Sequence, residues 1–404
     1  MAFVKYALPA LAVAQAVLAA GGLTFNADCG SGSTIKIASQ TDADGYETCK
    51  TLNGSVELDE HISGTLTLNT VERIKGSLSC SNGANITSLS APSLATIDDA
   101  FDLEGLTSLT ELSFPDLTSV GDINFQALPL LSALTFTTGV TEAGSVSIVN
   151  TGLNSLDGIS LKTVGSFVIT ENTQLQTVNV NNLKNATNLI NFAGNMESLD
   201  VSFPNLATGT NMTFRNVTSV SVPSLTTLTG QLGFWGNLFE SFSAPNLTET
   251  GDLVFNDNAK LSNITMPVLK TVNGGFLITL NDDLDDINFP DLQTVTGAID
   301  FSGEFNQASL PSLKNVRGGF NMQSTGNFSC TTFDKWKGTI IHGTYECKTT
   351  SHPTTSDGSS GSSTTTSSSN SSSTTTKSAA VLTAANLPSM GVAALFGLLV
   401  QYVL

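Results

Sequence analysis

Few side chains in this sequence could carry out acid–base or nucleophilic chemistry. It holds three histidines, His61, His342 and His352, too few to predict a catalytic triad or a histidine-rich metal site. Motifs for a nucleophile elbow, a zinc-protease helix or a phosphate-binding loop are absent from the sequence. A glycosidase or transglycosidase needs only two carboxylates, so that reaction stays open. We predict no catalytic residue, no metal and no cofactor.

The densest group of acidic side chains lies in a predicted turn and consists of Asp282, Asp283, Asp285 and Asp286. Their spacing differs from that of an EF-hand loop, so we expect a solvent-exposed corner, with weak Ca²⁺ binding as the alternative. The formal net charge is −18, and only 12% of residues are charged. This balance argues against nucleic acid or an anionic surface as the partner.

One aromatic run could bind a ligand. It extends from Phe234 and Trp235 to Phe239, with Phe242 close behind. If Phe234 points into a core, strand alternation turns Trp235 outward, where its indole could stack on a sugar ring. Trp235 is therefore the candidate glycan contact, with packing in the core or against a flanking segment as the alternative.

Short repeats must position these side chains. The segment that begins Phe289-Pro290-Asp291-Leu292 continues through Gly297 to Phe301, and the same order of Pro-x-Leu, Gly and Phe recurs along the chain. A period in the low twenties indicates a solenoid, in which each repeat buries its apolar face against its neighbours. The apolar residue that marks the period recurs every 19 to 23 residues, at Leu94, Leu117, Val140, Leu161, Leu183, Leu206, Leu225, Leu247, Leu269, Leu292 and Leu313.

The repeats favour strands over helices. Pro, Gly, Thr, Val and Phe alternate in short runs, and no apolar face is long enough for a helix. We predict an all-β fold, a parallel β-helix or leucine-rich-repeat-like solenoid of about 13 rungs, spanning residues 49–313. Leu and Val should point inward, together with an aromatic column formed by Phe125, Phe214, Phe234, Phe255 and Phe301.

A polar column follows the same period. We expect its side chains to form a stacked turn in which each amide pairs with backbone groups of its own rung and the next, because buried polar groups need partners. Such a column is structural rather than catalytic. The predicted members are Asn150, Asn172, Asn195, Asn216, Asn237, Asn258 and Asn281.

The positions of the five cysteines predict which of them form disulfides. Cys29 and Cys49 bracket the start of the solenoid, whereas Cys330 and Cys347 bracket its end. We therefore predict two local disulfides that hold the terminal rungs, each of which lacks one neighbour. Cys80 occupies the place of an inward aromatic side chain, which predicts a buried free thiol; an intermolecular or catalytic thiol is the alternative.

The two ends of the chain predict secretion and lipid anchoring. The start is apolar with small residues near a cleavage site, and the end is apolar with no following basic residue. Ser378 is the predicted anchor site, with Asn370 or Asn386 as alternatives. The predicted regions are a signal peptide (1–20), a solenoid ectodomain (21–348), a Ser/Thr-rich O-glycosylated stalk (349–378) and a GPI-attachment propeptide (379–404).

A secreted chain exposes its N-x-[ST] sequons to glycosylation. We predict that Asn216 stays unmodified, because a member of the asparagine column would point into the coil. The predicted glycosylation sites are Asn53, Asn85, Asn185, Asn211, Asn246, Asn263, Asn327 and Asn370.

These features together resemble those of the fungal GPI-anchored cell-wall organisation proteins, whose ectodomains look like receptor L-domains. The resemblance rests on units such as Ala91-Pro92-Ser93-Leu94, on the closing segment from Phe328 to Cys347, and on the stalk and tail. It implies a protein at the outer face of the plasma membrane and in the cell wall, with no catalytic residue to transfer. We expect a non-enzymatic glycoprotein that supports wall integrity by binding wall polysaccharides or wall proteins. A wall-remodelling transglycosidase and a surface adhesion or host-recognition protein are the alternatives.

Overall fold

The computed structural model describes residues 29–349, which form a parallel β-solenoid of about 14 turns. The predicted all-β solenoid is confirmed. Every recorded strand pairing is parallel, for instance Phe234 opposite Phe214 and Phe255. The predictions for the signal peptide at 1–20, for the stalk at 349–378 (all but residue 349) with Asn370 and Ser378, and for residues 379–404 fall outside the described residues.

The strands are short because each turn bends back after a few residues. One helix and one 3₁₀ segment lie near the two ends. In chain order the elements are β1 (Ile35–Ile37), α1 (Gln40–Asp44), β2 (Thr51–Leu52), β3 (Val56–Leu58), β4 (Gly64–Thr67), β5 (Arg73–Ile74), β6 (Leu78–Ser81), β7 (Ile86–Ser90), β8 (Thr96–Glu104), β9 (Glu111–Ser113), β10 (Ser119–Leu128), β11 (Ser145–Thr151), β12 (Thr163–Thr170), β13 (Thr177–Asn179), β14 (Asn185–Ala193), β15 (Asp200–Ser202), β16 (Thr208–Arg215), β17 (Ser219–Ser221), β18 (Thr227–Leu228), β19 (Leu232–Trp235), β20 (Ser241–Ser243), β21 (Glu249–Thr250), β22 (Leu253–Asn256), β23 (Asn263–Thr265), β24 (Thr271–Val272), β25 (Phe276–Thr279), β26 (Asp286–Asn288), β27 (Thr294–Val295), β28 (Ile299–Gly303), β29 (Gln307–Ser309), β30 (Asn315–Val316), β31 (Phe320–Ser324), the 3₁₀ segment Cys330–Trp336 and β32 (Tyr345–Thr349).

The strands stack in three columns along the solenoid. One column, called the front sheet below, includes β16, β19, β22, β25, β28, β31 and β32 in register. A second column of two-residue strands, such as β18, β21 and β24, belongs to the same 22-stranded sheet. Separate small sheets, such as that of β13, β15, β17, β20 and β23, form the third column.

Aromatic rings fill the interior behind the front sheet. The five phenylalanines predicted to point inward are all fully buried, which confirms the aromatic column. Phe214 stacks on Phe234 with ring centroids 5.5 Å apart, and Phe234 stacks on Phe255 at 4.9 Å. Because successive strands are in register, each ring lies directly on that of the next turn. Such stacked pairs add about 0.5–1.5 kcal/mol each beyond the area that they bury.

The glycine of each repeat lies at the corner between the second column and the front sheet. The backbone N–H of Gly297 donates to the Gly274 carbonyl at 2.8 Å. A Cβ atom at Gly297 would lie 2.5 Å from that same oxygen. The turns therefore approach too closely at this corner for any side chain, which explains why the repeat carries Gly there.

Five asparagines form a buried column, called the asparagine ladder below: Asn172, Asn195, Asn237, Asn258 and Asn281. Asn258 illustrates its bonding. Its Oδ1 accepts from the backbone N–H and the side-chain amide of Asn237 at 3.0 and 2.9 Å. Its own amide donates to Asn281 Oδ1 at 3.0 Å and to the Phe234 carbonyl at 3.3 Å. The predicted pairing between successive rungs is confirmed for these five residues.

The prediction that Asn150 and Asn216 belong to this column is wrong. Both lie one residue before the ladder position, which Thr151 and Val217 occupy in their turns. The backbone N–H of Val217 donates to Asn237 Oδ1 at 3.1 Å, so the ladder continues past an apolar residue. Turn lengths vary by a few residues, so a one-residue offset is invisible in the spacing alone.

Both ends of the solenoid are closed as predicted. Disulfides join Cys29 to Cys49 and Cys330 to Cys347. Phe333, in the 3₁₀ segment, packs on Phe320 of the last turns with ring centroids 5.5 Å apart. Cys80 is a buried free thiol, as predicted.

Candidate functional site: the outer face around Trp235

A row of left-handed residues runs along the outside of the solenoid, one per turn at the end of the front-sheet strand. Sequence reasoning missed this row, although Asn and Gly, the residues that most readily adopt this conformation, occupy most of its positions. Ala127, Glu171 and Leu280 are the costly members, because a left-handed residue other than Gly, Asn or Asp is disfavoured by about 1–2 kcal/mol. The row, called the left-handed rim below, has φ from 53° to 70° and consists of Asn82, Gly105, Ala127, Asn150, Glu171, Gly194, Asn216, Gly236, Asp257 and Leu280.

Trp235 lies on the outside of the front sheet, as strand alternation predicted. Phe234 beside it is fully buried, whereas Trp235 is half-buried. The indole leans back over Gly233, where a Cβ atom would lie 2.1 Å from the ring. The strand neighbours of Gly233 are Thr213 and Val254, and both are buried although they face outward. The indole ring therefore packs on the sheet. The alternative prediction, packing against a flanking segment, holds for the part of the ring that lies over Gly233.

Arg215 accompanies the indole. It lies opposite Trp235 on the neighbouring strand, and its guanidinium carbon is 4.9 Å from the ring centroid. This cation–π contact is worth about 0.5–1 kcal/mol where solvent reaches it. Burial lowers the pKa of Arg215 from its usual range, although the group stays protonated at physiological pH.

Two polar atoms near this pair are buried without a hydrogen-bond partner among residues 29–349. They are Arg215 Nε, a donor, and Asn191 Oδ1, an acceptor. Asn191 lies opposite Thr213, two residues before Arg215 on the same outer face. A buried unpaired group costs about 1–3 kcal/mol, so the outer face has unused hydrogen-bonding capacity beside the indole.

A shallow hollow of about 380 Å³ opens beside Arg215 and Trp235. It forms where Gly236 leaves a gap in the left-handed rim, since a Cβ there would meet nothing within 4 Å. Leu280 at its edge is 59% exposed and adds an apolar surface to the hollow. The hollow, called the Trp235 hollow below, is lined by Arg215, Asn216, Trp235, Gly236, Asn256, Asp257 and Leu280.

The chemistry of the Trp235 hollow suits a sugar better than a metal or a charged cofactor. It combines the apolar surfaces of Leu280 and the indole with the donors of Arg215 and the amide of Asn256. Ligand sites pair such apolar walls with a few polar groups that fix orientation. Its volume lies at the small end of ligand sites, which run from about 300 to 1,000 Å³.

A second hollow of about 390 Å³ lies near Arg73 on another side of the solenoid. Its polar groups already have partners. Arg73 donates twice to Asp98, at 2.9 and 2.8 Å, and Ser119 donates to Glu142 at 3.3 Å. The Trp235 hollow is the stronger candidate because it has both an exposed apolar side chain and an unpartnered donor.

The other candidate groups remain apart from this site. Asp282, Asp283, Asp285 and Asp286 are all exposed, in keeping with a solvated corner. His61 is exposed, and its Nδ1 lies 2.9 Å from Asp59 Oδ1, which raises the pKa of the imidazole. Within residues 29–349 no group of three or more His, Cys, Asp or Glu side chains is arranged to hold a metal ion.

Two sequon asparagines, Asn211 and Asn216, are both half-buried but differ in the hydrogen bonding of their side chains. Asn211 is bound into the front sheet, since its Oδ1 accepts from the Gln231 backbone at 2.9 Å and its amide donates to Asn188 at 3.3 Å. Asn216 is half-buried on the outer rim, with no side-chain hydrogen bond to residues 29–349. The premise that Asn216 points into the coil is therefore wrong. Glycans at the eight predicted sites stay predictions.

Comparison with known proteins bears on this surface. The family model described as Ecm33, GPI-anchored cell wall organization protein, matches residues 1–47. A BspA-type leucine-rich-repeat region matches in six copies within residues 96–209 and 195–307. Protein ecm33 of Aspergillus fumigatus is 64% identical over the full length of both chains.

The chain belongs to the Ecm33 family. A cell surface GPI-anchored protein of Arthroderma benhamiae is 43% identical, covering 88% of this chain and 90% of its own. A cell wall protein ecm33 of Schizosaccharomyces pombe is 35% identical over 62% of this chain and 58% of its own. Membership of the Ecm33 family confirms the predicted location at the cell surface and wall. No solved structure matches the chain.

One further observation concerns the membrane. Within residues 29–349, no helix is both long and apolar enough to cross a bilayer.

Proposed function

We propose that this Ecm33-family chain supports cell-wall organisation by binding wall polysaccharide at the Trp235 hollow, without catalysing a reaction on it. The single observation that carries this proposal is the pairing of Trp235 and Arg215 beside the exposed Leu280. Apolar C–H faces of a pyranose would contact Leu280 and the indole edge. Its hydroxyl groups would accept hydrogen bonds from the guanidinium of Arg215.

The long front sheet favours a polymer as the ligand. Its outward positions next to the hollow carry small polar side chains, such as Asn256, Thr279 and Ser302, in register on successive strands. Thr279 and Ser302 lie 2.8 Å apart through their hydroxyl oxygens. A row of hydroxyls and amides can follow an extended glycan over several turns, whereas an isolated hollow would hold only a sugar or two.

One carboxyl group on the outer face of the front sheet, that of Asp300, is a candidate general acid for the transglycosidase alternative, which can therefore be tested by mutation. Asp300 is half-buried, and its desolvation raises the pKa of its carboxyl, although Asn321 donates to it at 2.8 Å. A carboxyl with a raised pKa is what a general acid of glycoside cleavage needs. Sequence reasoning did not single out Asp300, because nothing in its local sequence distinguishes it.

The test is binding of the glycosylated ectodomain, residues 21–348, to β-glucan, chitin and mannan oligosaccharides, with product analysis of the same samples. We expect saturable binding and unchanged oligosaccharide lengths, with affinity falling about tenfold in Trp235→Ala, or about 1.4 kcal/mol. Val149→Ala, on an outward position of a distant turn, is the control and should bind like the natural protein.

Two outcomes would contradict the proposal. New oligosaccharide lengths that disappear in Asp300→Asn would favour the transglycosidase. No binding to any polysaccharide would direct the search to wall proteins or to a surface adhesion role.

A further inference from the structure

We propose that Asn216 carries an N-linked glycan and that the first sugars of this glycan lie in the Trp235 hollow. Asn216 begins the sequon Asn216-Val217-Thr218. Of the left-handed rim within residues 29–349, it is the only member that does so. The attachment point is thus at the edge of the hollow rather than at a distance from it.

The position of the amide supports attachment. In the transfer, Asn216 Nδ2 forms a bond to C1 of the first N-acetylglucosamine and loses one proton. The bond from C1 to a lipid diphosphate donor breaks, and the diphosphate leaves with the electron pair. Asn216 has no side-chain hydrogen bond within residues 29–349 that this bond would disrupt, unlike Asn246, whose amide donates to the Pro223 carbonyl at 2.7 Å.

The space for the sugar is adjacent. The residue that follows Asn216 along the rim is Gly236, and the absence of a side chain there leaves the gap that forms the hollow. Beyond the gap lie Asp257 and the exposed Leu280. Three turns, or about 14 Å at about 4.8 Å per turn, separate Asn216 from Leu280, so the first sugar would lie over Gly236 and the following sugars would extend towards Leu280.

The chemistry of the first sugar suits the wall of the hollow. An N-acetyl group offers a carbonyl acceptor, and the guanidinium of Arg215, which lines the hollow, offers donors. Arg215 immediately precedes Asn216 in sequence, so the two are held close by the chain itself. The apolar face of the sugar would lie against the indole edge.

A consequence for binding rests on the proposed function. A tethered ligand is present at an effective concentration in the millimolar range. The Asn216 glycan would therefore compete with free polysaccharide for the hollow, and the fraction of chains that carry it would set the binding capacity of the surface.

The first experiment measures the glycan itself, on the full-length chain made in a fungal host. Glycopeptide mapping should find Asn216 occupied. In timed endoglycosidase digestion of the native protein, the Asn216 glycan should be released about tenfold more slowly than the Asn85 glycan, a protection of about 1.4 kcal/mol. Asn85 is exposed. An unoccupied Asn216, or equal release rates, would overturn the inference.

Two variants distinguish occupancy of the hollow from general crowding. Gly236→Asn fills the gap with a residue that the rim already accepts at Asn82 and Asn150, and it should abolish the protection. Gly194→Asn makes the same change elsewhere on the rim, where a Cβ meets only ordinary contacts of 3.7 Å or more, and should leave protection intact. Loss of protection in both variants, or in neither, would contradict the assignment.

A second experiment separates this inference from the proposed function. Thr218→Ala removes the sequon and Thr218→Ser keeps it, so only the first should lose the glycan. We expect Thr218→Ala to bind polysaccharide several-fold more tightly than Thr218→Ser. If neither binds polysaccharide while the Asn216 glycan stays protected, the proposed function fails and the glycan assignment stands. Equal binding by both variants would refute the competition.

Discussion

The asparagine ladder and the left-handed rim are adjacent columns, one residue apart in sequence, and they behave in opposite ways. Asn258 in the ladder is fully buried and uses both ends of its amide on neighbouring turns. Asn216 in the rim is half-buried, and its side chain makes no hydrogen bond to any other residue within 29–349. The same residue type is therefore a structural element in one column and a surface group in the other. A one-residue offset decides between the two roles.

The residue type varies from turn to turn at the rim position, even in the turns where the ladder position is always Asn. In the five ladder turns, the rim residue before the asparagine is Glu171, Gly194, Gly236, Asp257 or Leu280. In these five turns the ladder side chain supplies both a donor and an acceptor to its neighbours, and Asn does so at the required size. A rim position must only adopt the left-handed conformation, so its side chain is free to serve a ligand. Function is therefore to be sought on the rim and the outer face.

The largest expected effect compares the inner and outer faces of a single strand. Phe234→Ala should lower the free energy of unfolding by about 3–5 kcal/mol, as for other buried aromatics. Phe234 lies within 4.4 Å of Phe242 and 4.9 Å of Phe255, centroid to centroid. Trp235→Ala should cost less, about 1–2 kcal/mol, because the half-buried ring loses its contact with Arg215 and its packing over Gly233. Denaturant unfolding measures both, and equal losses would contradict the assigned faces.

The next effect compares ladder and rim directly. Asn258→Ala removes the Oδ1 that accepts from the Asn237 backbone N–H and side-chain amide, and the amide that donates to Asn281 Oδ1 and the Phe234 carbonyl, so we expect a loss of about 2–4 kcal/mol in the free energy of unfolding. Asn150→Gly is the matched rim control, since Asn150 is exposed and left-handed. That variant should stay within about 0.5 kcal/mol of the natural protein. Similar losses in the two variants would show that the columns do not differ in role.

The smallest effect at neutral pH concerns the inward thiol. Burial raises the pKa of Cys80 from its ordinary 9.0 to about 11. The folded state therefore favours the neutral thiol, and this stabilisation is complete below about pH 9 and is lost as the pH rises towards 11. Cys80→Ala should flatten this part of the stability profile. Rapid alkylation of the native protein at pH 8 would argue that the thiol is not buried.

Much of the fold could be predicted because large apolar residues recur at a nearly fixed period along the chain. The spacing of Leu and Phe predicted the solenoid and the inward aromatic column, and the places of the cysteines predicted both disulfides. The pairing of buried asparagines between turns was predicted correctly, but Asn150 and Asn216 were wrongly assigned to the ladder. Spacings of 20 to 23 residues fit either of two adjacent positions, since the turns differ in length.

The candidate site was predicted only in part. Strand alternation correctly predicted that Trp235 lies on the outside. Its packing on Gly233 and its contact with Arg215 on the neighbouring turn were not predicted, because no local sequence pattern indicates such contacts. The raised pKa of Asp300 and the exposure of Leu280 likewise depend on neighbours from other turns.

The sequence by itself determined the repeat, its strand content, the caps and the family to which the chain belongs. These properties follow from residue type and spacing along the chain, which are local quantities. Only the tertiary structure decided the register between turns, and with it which asparagine is buried, where Gly236 leaves a gap and what lies beside Asn216. Register is a property of stacked turns, because each turn finds its hydrogen-bond partners on its neighbours rather than within itself.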